Sequence, residues 1–169
     1  MNRIKIILED DRTILVELDE KYAPISVKNF LKLVDNKFYD GVLFHRVIKD
    51  FMIQTGGYYI DGNSLKNKEE VESIKGEFLS NKVNNPLKHL KGTISMARTN
   101  DPNSASSQFF ICSVDCPHLD GNYAAFGKVL DEESLKVVED ISLVPTQSFY
   151  YFNDFPKFPV TIKTIERVD

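Results

Sequence analysis

Apolar and polar residues alternate over two short stretches at the start of the chain. Residues 3–8, RIKIIL, put Ile4, Ile6 and Leu8 on one face of an extended segment, and residues 13–18, TILVEL, do the same with Ile14, Val16 and Leu18. A period of two marks a strand buried on one side. Asp10-Asp11-Arg12 supplies a turn between the stretches, so the pair reads as a hairpin. The period then changes. Pro24 suits a first helical position, and Val27, Phe30, Leu31 and Val34 fall at i, i+3, i+4 and i+7. That is one apolar stripe of a helix of about three to four turns. A second helix is predicted near 131–141, DEESLKVVEDI. Asp131 can cap it, Glu132 and Glu133 favour its first turn, and Leu135, Val138 and Ile141 form its buried stripe.

Asp40-Gly41 marks a turn into FHRVIKDFMIQTGG, residues 44–57, which reads as strands. Further strands are predicted at 93–97, 107–112, 123–129 and 159–166. Residues 58–92 are polar and mixed and read as long surface loops with short extended pieces. Many strands with two amphipathic helices imply a mostly antiparallel sheet, curled or closed, with helices covering its ends. No repeat, low-complexity block or linker interrupts the chain, so one domain over 1–169 is expected. The stretch 148–158, SFYYFNDFPKF, is unusually aromatic for a loop. It either folds over the sheet as a satellite cluster or forms a contact patch for another protein, and the exposure of its rings separates the two.

Composition narrows the function. The chain has 169 residues, with 42% hydrophobic and 27% charged, ordinary values for a globular protein. Lys plus Arg is 21 and Asp plus Glu is 25, a formal net charge of −4 with no basic run, which argues against a nucleic-acid partner. No stretch is apolar enough to cross a bilayer, and MNRIKIILEDD lacks the pattern of a signal peptide, so no membrane partner is expected and the cytoplasm is the expected compartment. Cys112 and Cys116 stand four apart and suit free thiols in a reducing compartment. With His45, His89 and His118 unpaired in spacing, no metal site is expected.

Candidate chemistry centres on Arg46, a permanent charge in an apolar strand. A guanidinium is almost never buried without a partner. Residues i and i+2 of a strand share a face, so Met52 points with Gln54, and Gln108 with Phe110. The pattern describes a shallow apolar pocket rimmed by one cation and two amides. Taken singly, each residue fits a structural role as well: an ion-paired arginine, a core methionine or phenylalanine, and packing histidines at 45 and 118. No GxSxG elbow, phosphate loop or HExxH is present, and no nucleophile is visibly paired with a base.

FHRVIKDFMIQTGG, KGEF at 75–78, NPLKHLKGTISMAR at 85–98, SASSQFFIC at 104–112 and HLDGNYAAFGKV at 118–129 together resemble a cyclophilin, most closely the bacterial type of cyclophilin peptidyl-prolyl isomerase. The resemblance runs from the first hairpin to the last strand. It implies a mainly β fold, a closed eight-stranded antiparallel β-barrel capped by two α-helices, with the substrate in a groove on its outer face. It implies no cofactor. It implies catalysis by Arg46, a proline pocket of Phe51, Met52, Phe110 and Leu119, groove-lining amides Gln54 and Gln108, and backbone pairing of the bound peptide at Ala97 and Arg98. The implied partners are proline-containing peptides and unfolded chains, and the macrocycle cyclosporin; a monomer is the default. Three departures bear on the site. His118 stands where many eukaryotic members carry tryptophan, which predicts weakened cyclosporin affinity, and Tyr123 stands where they carry histidine. Arg98 and Thr99 replace smaller or neutral residues, ahead of a loop, TNDPNSAS, that is one residue longer. Gly57-Tyr58-Tyr59 and the lysine-rich 60–73 segment replace a glycine-rich loop, leaving open the subsite that meets residues upstream of the proline. The rival reading is a proline-peptide-binding module or chaperone without turnover, which a protease-free isomerisation assay distinguishes.

Overall fold

The computed structural model describes residues 2–168. The predicted first hairpin is β1 (Asn2–Leu8) and β2 (Thr13–Leu18), paired in register with Ile4 opposite Val16 and Ile6 opposite Ile14. Helix α1 (Pro24–Asp35) follows. Then come β3 (Phe44–Ile48), β4 (Met52–Thr55), β5 (Tyr58–Asp61), β6 (Ser64–Asn67), β7 (Thr93–Met96), β8 (Phe109–Cys112) and β9 (Ala125–Val129). Helix α2 (Glu132–Ser142), β10 (Thr146–Phe149), β11 (Phe152–Pro156) and β12 (Ile162–Val168) complete the chain.

Eight strands form one antiparallel sheet in the order β12-β1-β2-β9-β7-β8-β4-β3. The sheet curls until its edges meet, but the expected closed barrel is joined only by a short seam. The Gly41 N–H donates to the Ile162 carbonyl (2.8 Å), Ile162 N–H to Val42 (2.8 Å) and Phe44 N–H to Val160 (2.9 Å), with a single bridge between Leu43 and Thr161. Among the described residues no ladder runs between β3 and β12 themselves, because the seam joins only the first residue of each strand, Phe44 and Ile162, to the segment just before the other.

The inner face is filled. Ile4, Ile6, Ile14, Val16, Ile53, Ile94, Ile111, Phe109 and Phe126 are buried in one cluster with Val27, Phe30, Leu31 and Val34 of α1. Phe30 of α1 meets Phe109 edge-on at 5.3 Å between ring centres, a favoured aromatic geometry. Helix α2 begins as predicted: the Asp131 side chain accepts the Ser134 N–H. Helix α1 is capped from a distance. Ala23 at its N-cap offers no side-chain acceptor. The buried Glu77 carboxylate instead accepts the N–H groups of Ile25 (3.1 Å) and Ser26 (2.7 Å). Those are orphan donors at the positive end of the helix.

Two segments read as loops are hairpins. β5 pairs with β6 inside the polar 58–92 stretch, and β10, which begins at Thr146, pairs with β11 across the aromatic 148–158 stretch. The aromatic segment is split between the two readings. Phe155 is buried and Phe149 and Phe152 are half-buried, whereas Tyr150, Tyr151 and Phe158 are exposed.

Candidate functional site

The outer face of the sheet is built by the same alternation that fills the inside. Residues opposite one another on antiparallel strands share a face. Val47, Ile53, Ile111 and Ile94 pair across β3, β4, β8 and β7 and point inward. One residue along, Arg46, Gln54, Phe110 and Ser95 pair in the same order and point outward. A polar, charged and aromatic row therefore lies directly behind an aliphatic one.

Arg46, Gln54 and Phe110 of this row border a cavity of about 220 Å³. Its floor is Met52, Phe110 and Leu119, which belong to a second apolar cluster with Cys112 and Cys116, separate from the main core. Phe51 forms one wall, supplied by the tight turn between β3 and β4 where Asp50 takes a positive φ of 60°. The Phe110 ring is fixed from behind by His89, stacked at 6.1 Å between centres, and from the side by Tyr123, edge-on at 5.9 Å. His89 is itself held at both ring nitrogens, by Asp120 (3.1 Å) and Ser95 (2.9 Å), and burial lowers its pKa. Burial pushes both thiols up. Both are free and buried in the apolar cluster beneath the floor.

Arg46 is half-buried, and among the described residues no carboxylate pairs with it. Its Nη1 donates to Gln54 Oε1 (3.1 Å), and Gln54 Nε2 donates to Gln108 Oε1 (3.0 Å). The guanidinium lies 5.9 Å from the Phe51 ring centre. This relay of two amides orients the cation while leaving most of its five donors unused. The paired glycines make room for the relay. Gly56 has φ of +107°, and a Cβ on Gly57 would come within 2.7 Å of the Gln108 amide nitrogen.

Ten of the eleven candidate residues line this one cavity: Arg46, Phe51, Met52, Gln54, Ala97, Arg98, Gln108, Phe110, Leu119 and Tyr123. His118 does not. It is exposed at the rim, with its ring 5.4 Å from that of Phe51. Arg98 is more than a backbone contact. Its guanidinium sits between the rings of Phe78 (4.8 Å) and Tyr123 (4.6 Å) and donates to the carbonyls of Asn122 and Thr99. Three further lining residues escaped the sequence reading: His45, Tyr58 and Phe152. His45 adjoins Arg46 and was visible as a candidate for packing, but nothing in the chain order brings Tyr58 or Phe152 to it.

A fixed cation over an apolar notch, with amides beside it and no nucleophile, suits a reaction in which charge shifts without a covalent intermediate. A family model described as cyclophilin type peptidyl-prolyl cis-trans isomerase/CLD matches residues 3–167. A peptidyl-prolyl cis-trans isomerase of Acinetobacter baylyi is 42% identical over 156 residues, covering 89% of this chain and 78% of that protein. Peptidyl-prolyl cis-trans isomerase A of Dickeya dadantii is 41% identical, covering 87% and 75%. Among solved structures, a Cryptosporidium parvum cyclophilin type peptidyl-prolyl cis-trans isomerase, determined in the presence of the dipeptide Ala-Pro, superposes with a TM-score of 0.74 at 30% identity over 96% of each chain. The chain belongs to the cyclophilin-type peptidyl-prolyl cis-trans isomerases.

Proposed function

We propose that the cavity beside Arg46 is where this chain catalyses rotation about Xaa-Pro peptide bonds, with Arg46 as the catalytic residue. The observation that carries this reading is a half-buried guanidinium oriented by an amide and free of any described carboxylate, facing an apolar floor. Amide resonance sets a rotational barrier of roughly 18–20 kcal/mol. As the bond twists, the prolyl nitrogen loses conjugation and becomes a better hydrogen-bond acceptor. Arg46 donates to it and so favours the twisted state over the planar one, which is the condition for catalysis.

One such charge-assisted bond contributes about 1.5–3 kcal/mol, whereas a rate gain of roughly 10⁵ requires about 7 kcal/mol. The remainder comes from holding the two ends of the bond differently. Phe51, Met52, Phe110 and Leu119 grip the pyrrolidine ring. Backbone groups at Ala97 and Arg98 hold the peptide, Gln54 and Gln108 keep the guanidinium aimed, and Tyr123 closes the pocket. The acyl side turns while the ring stays fixed.

The substrates are proline-containing segments of other proteins, including unfolded chains, and the chain assists their folding as a monomer of one domain. Two free buried thiols support work in a reducing compartment such as the cytoplasm. The test is exchange spectroscopy by NMR on an Ala-Pro peptide, without a coupling protease. The expected result is cis–trans exchange far faster than the uncatalysed tens to hundreds of seconds, reduced at least tenfold in Arg46→Ala. Binding with no acceleration would leave a peptide-holding module instead.

A further inference from the structure

The cavity continues past the guanidinium. Its far wall is made of three rings that the isomerisation leaves unused: His45 beside Arg46 on β3, Tyr58 at the start of β5 and Phe152 at the start of β11. They form a closed triangle. The ring centres are 4.7 Å apart for His45 and Tyr58, 5.1 Å for His45 and Phe152, and 5.0 Å for Tyr58 and Phe152. His45 is buried beneath the other two, which keep one side open to the cavity.

The wall is braced. The Tyr151 and Tyr58 hydroxyls lie 3.4 Å apart, and the Leu65 N–H donates to the Tyr150 hydroxyl at 3.2 Å. The two small hairpins are thereby tied together over the edge of the sheet. No carboxylate lines the cavity among the described residues, and its cations are Arg46 and Arg98. A pyrrolidine ring is small and is accounted for by Met52, Phe110 and Leu119, so the aromatic wall is apolar surface in excess of what proline needs.

Sheet order says which part of a peptide reaches it. From Ala97, just past β7, the strands run β7, β8, β4, β3, and β11 then packs on β3. Neighbouring strands are about 4.8 Å apart, so β7 and β3 are separated by roughly 14 Å. An extended peptide covers that in about four residues. A chain with its proline ring over β8 and β4 therefore reaches Ala97 and Arg98 on one side of the proline, and β3 and β11 on the other.

We propose that the substrate chain lies with the residues before its proline at Ala97 and Arg98, and that His45, Tyr58 and Phe152 form a subsite for a large apolar or aromatic side chain immediately C-terminal to that proline. Lysine at that position is disfavoured by Arg46 alongside. This assignment rests on the isomerase reading of the same cavity.

The test is kcat/KM by NMR exchange on Ala-Ala-Pro-Xaa-Ala peptides with Xaa as Phe, Leu, Ala or Lys, together with Phe-placed-before-proline controls. The expected order is Phe, then Leu, then Ala, then Lys, with Phe about 2- to 10-fold above Ala. Phe152→Ala, checked for folding by circular dichroism, lowers the Phe-to-Ala ratio towards one, and Phe152→Leu retains part of it. Equal kcat/KM for Phe and Ala after the proline, or a preference confined to the residue before it, overturns the subsite while leaving the isomerase reading intact. No acceleration on any peptide overturns both.

Discussion

Two rows of side chains cross the same four strands back to back. The inward row, Val47, Ile53, Ile111 and Ile94, is aliphatic and almost wholly hidden from solvent. The outward row, Arg46, Gln54, Phe110 and Ser95, mixes a cation, an amide, a ring and a hydroxyl. Backbone geometry treats the rows alike; only solvent and packing distinguish them. The inward row is constrained by volume, because close-packed interiors register the loss of single methylenes. The outward row is constrained by direction. Arg46 is useful only because Gln54 holds its guanidinium over the notch, and Phe110 only because His89 and Tyr123 pin its ring.

Truncating each row should therefore damage different properties. Ile111→Ala, fully buried on the inner side, is expected to cost about 2–5 kcal/mol of stability. Urea unfolding measures this, and the native fraction should keep its specific activity. A pH titration sharpens the contrast at His45, buried beside Arg46 in the chain. Burial first, and then the charge of Arg46, depress the His45 pKa from 6.5 to about 4, against a weaker opposing effect of a hydrogen bond with Gln108. The unfolded chain thus binds a proton that the folded chain refuses. The stability contributed by neutral His45 is complete above pH 6.5 and is lost as pH falls towards 4. The full loss is about 3 kcal/mol, and His89 acts in the same direction. In His45→Gln, unfolding free energy should fall less steeply between pH 6.5 and 4; an unchanged slope would remove His45 as the cause.

Smaller effects lie on the outer row. Arg46→Ala is expected to lower kcat/KM at least tenfold with little change in unfolding midpoint, the reverse of Ile111→Ala. Gln54→Leu leaves the charge but removes the acceptor that aims it, and should lower kcat/KM about 3- to 10-fold. Full activity would show that the amide is not needed for orientation. The smallest change is at the rim. His118→Trp should tighten cyclosporin binding, because an indole offers more apolar area than an imidazole. Calorimetry would show it, and tight binding by the unsubstituted protein would count against the argument.

Local patterns in the chain carried much of this architecture. Alternation in 3–8 and 13–18 predicted β1 and β2, and the i, i+3, i+4 stripe from Val27 predicted α1. The position of Met52 two before Gln54 put both on the outer face, since one residue of shift reverses every side chain of a strand. Other features left no such trace. β5, β6, β10 and β11 carry no clean apolar alternation, because their hairpins lie on the outside of the sheet and bury only scattered rings. The cap on α1 comes from Glu77, some fifty residues away, so no local motif announces it.

By itself the sequence determined which residues face inward and which outward, because the strand repeat and the helix repeat are local properties of the backbone. It also placed Arg46 in an apolar setting, but left open whether an acid pairs with it. Only the tertiary structure decided that the barrel is joined by a short seam rather than a full ladder, that His118 stands outside the cavity, and that Tyr58 and Phe152 meet over His45. These contacts join segments far apart in the chain. Pairings of that kind arise from the closure of long loops and the competition for buried area, neither of which leaves a periodic mark on the residues involved.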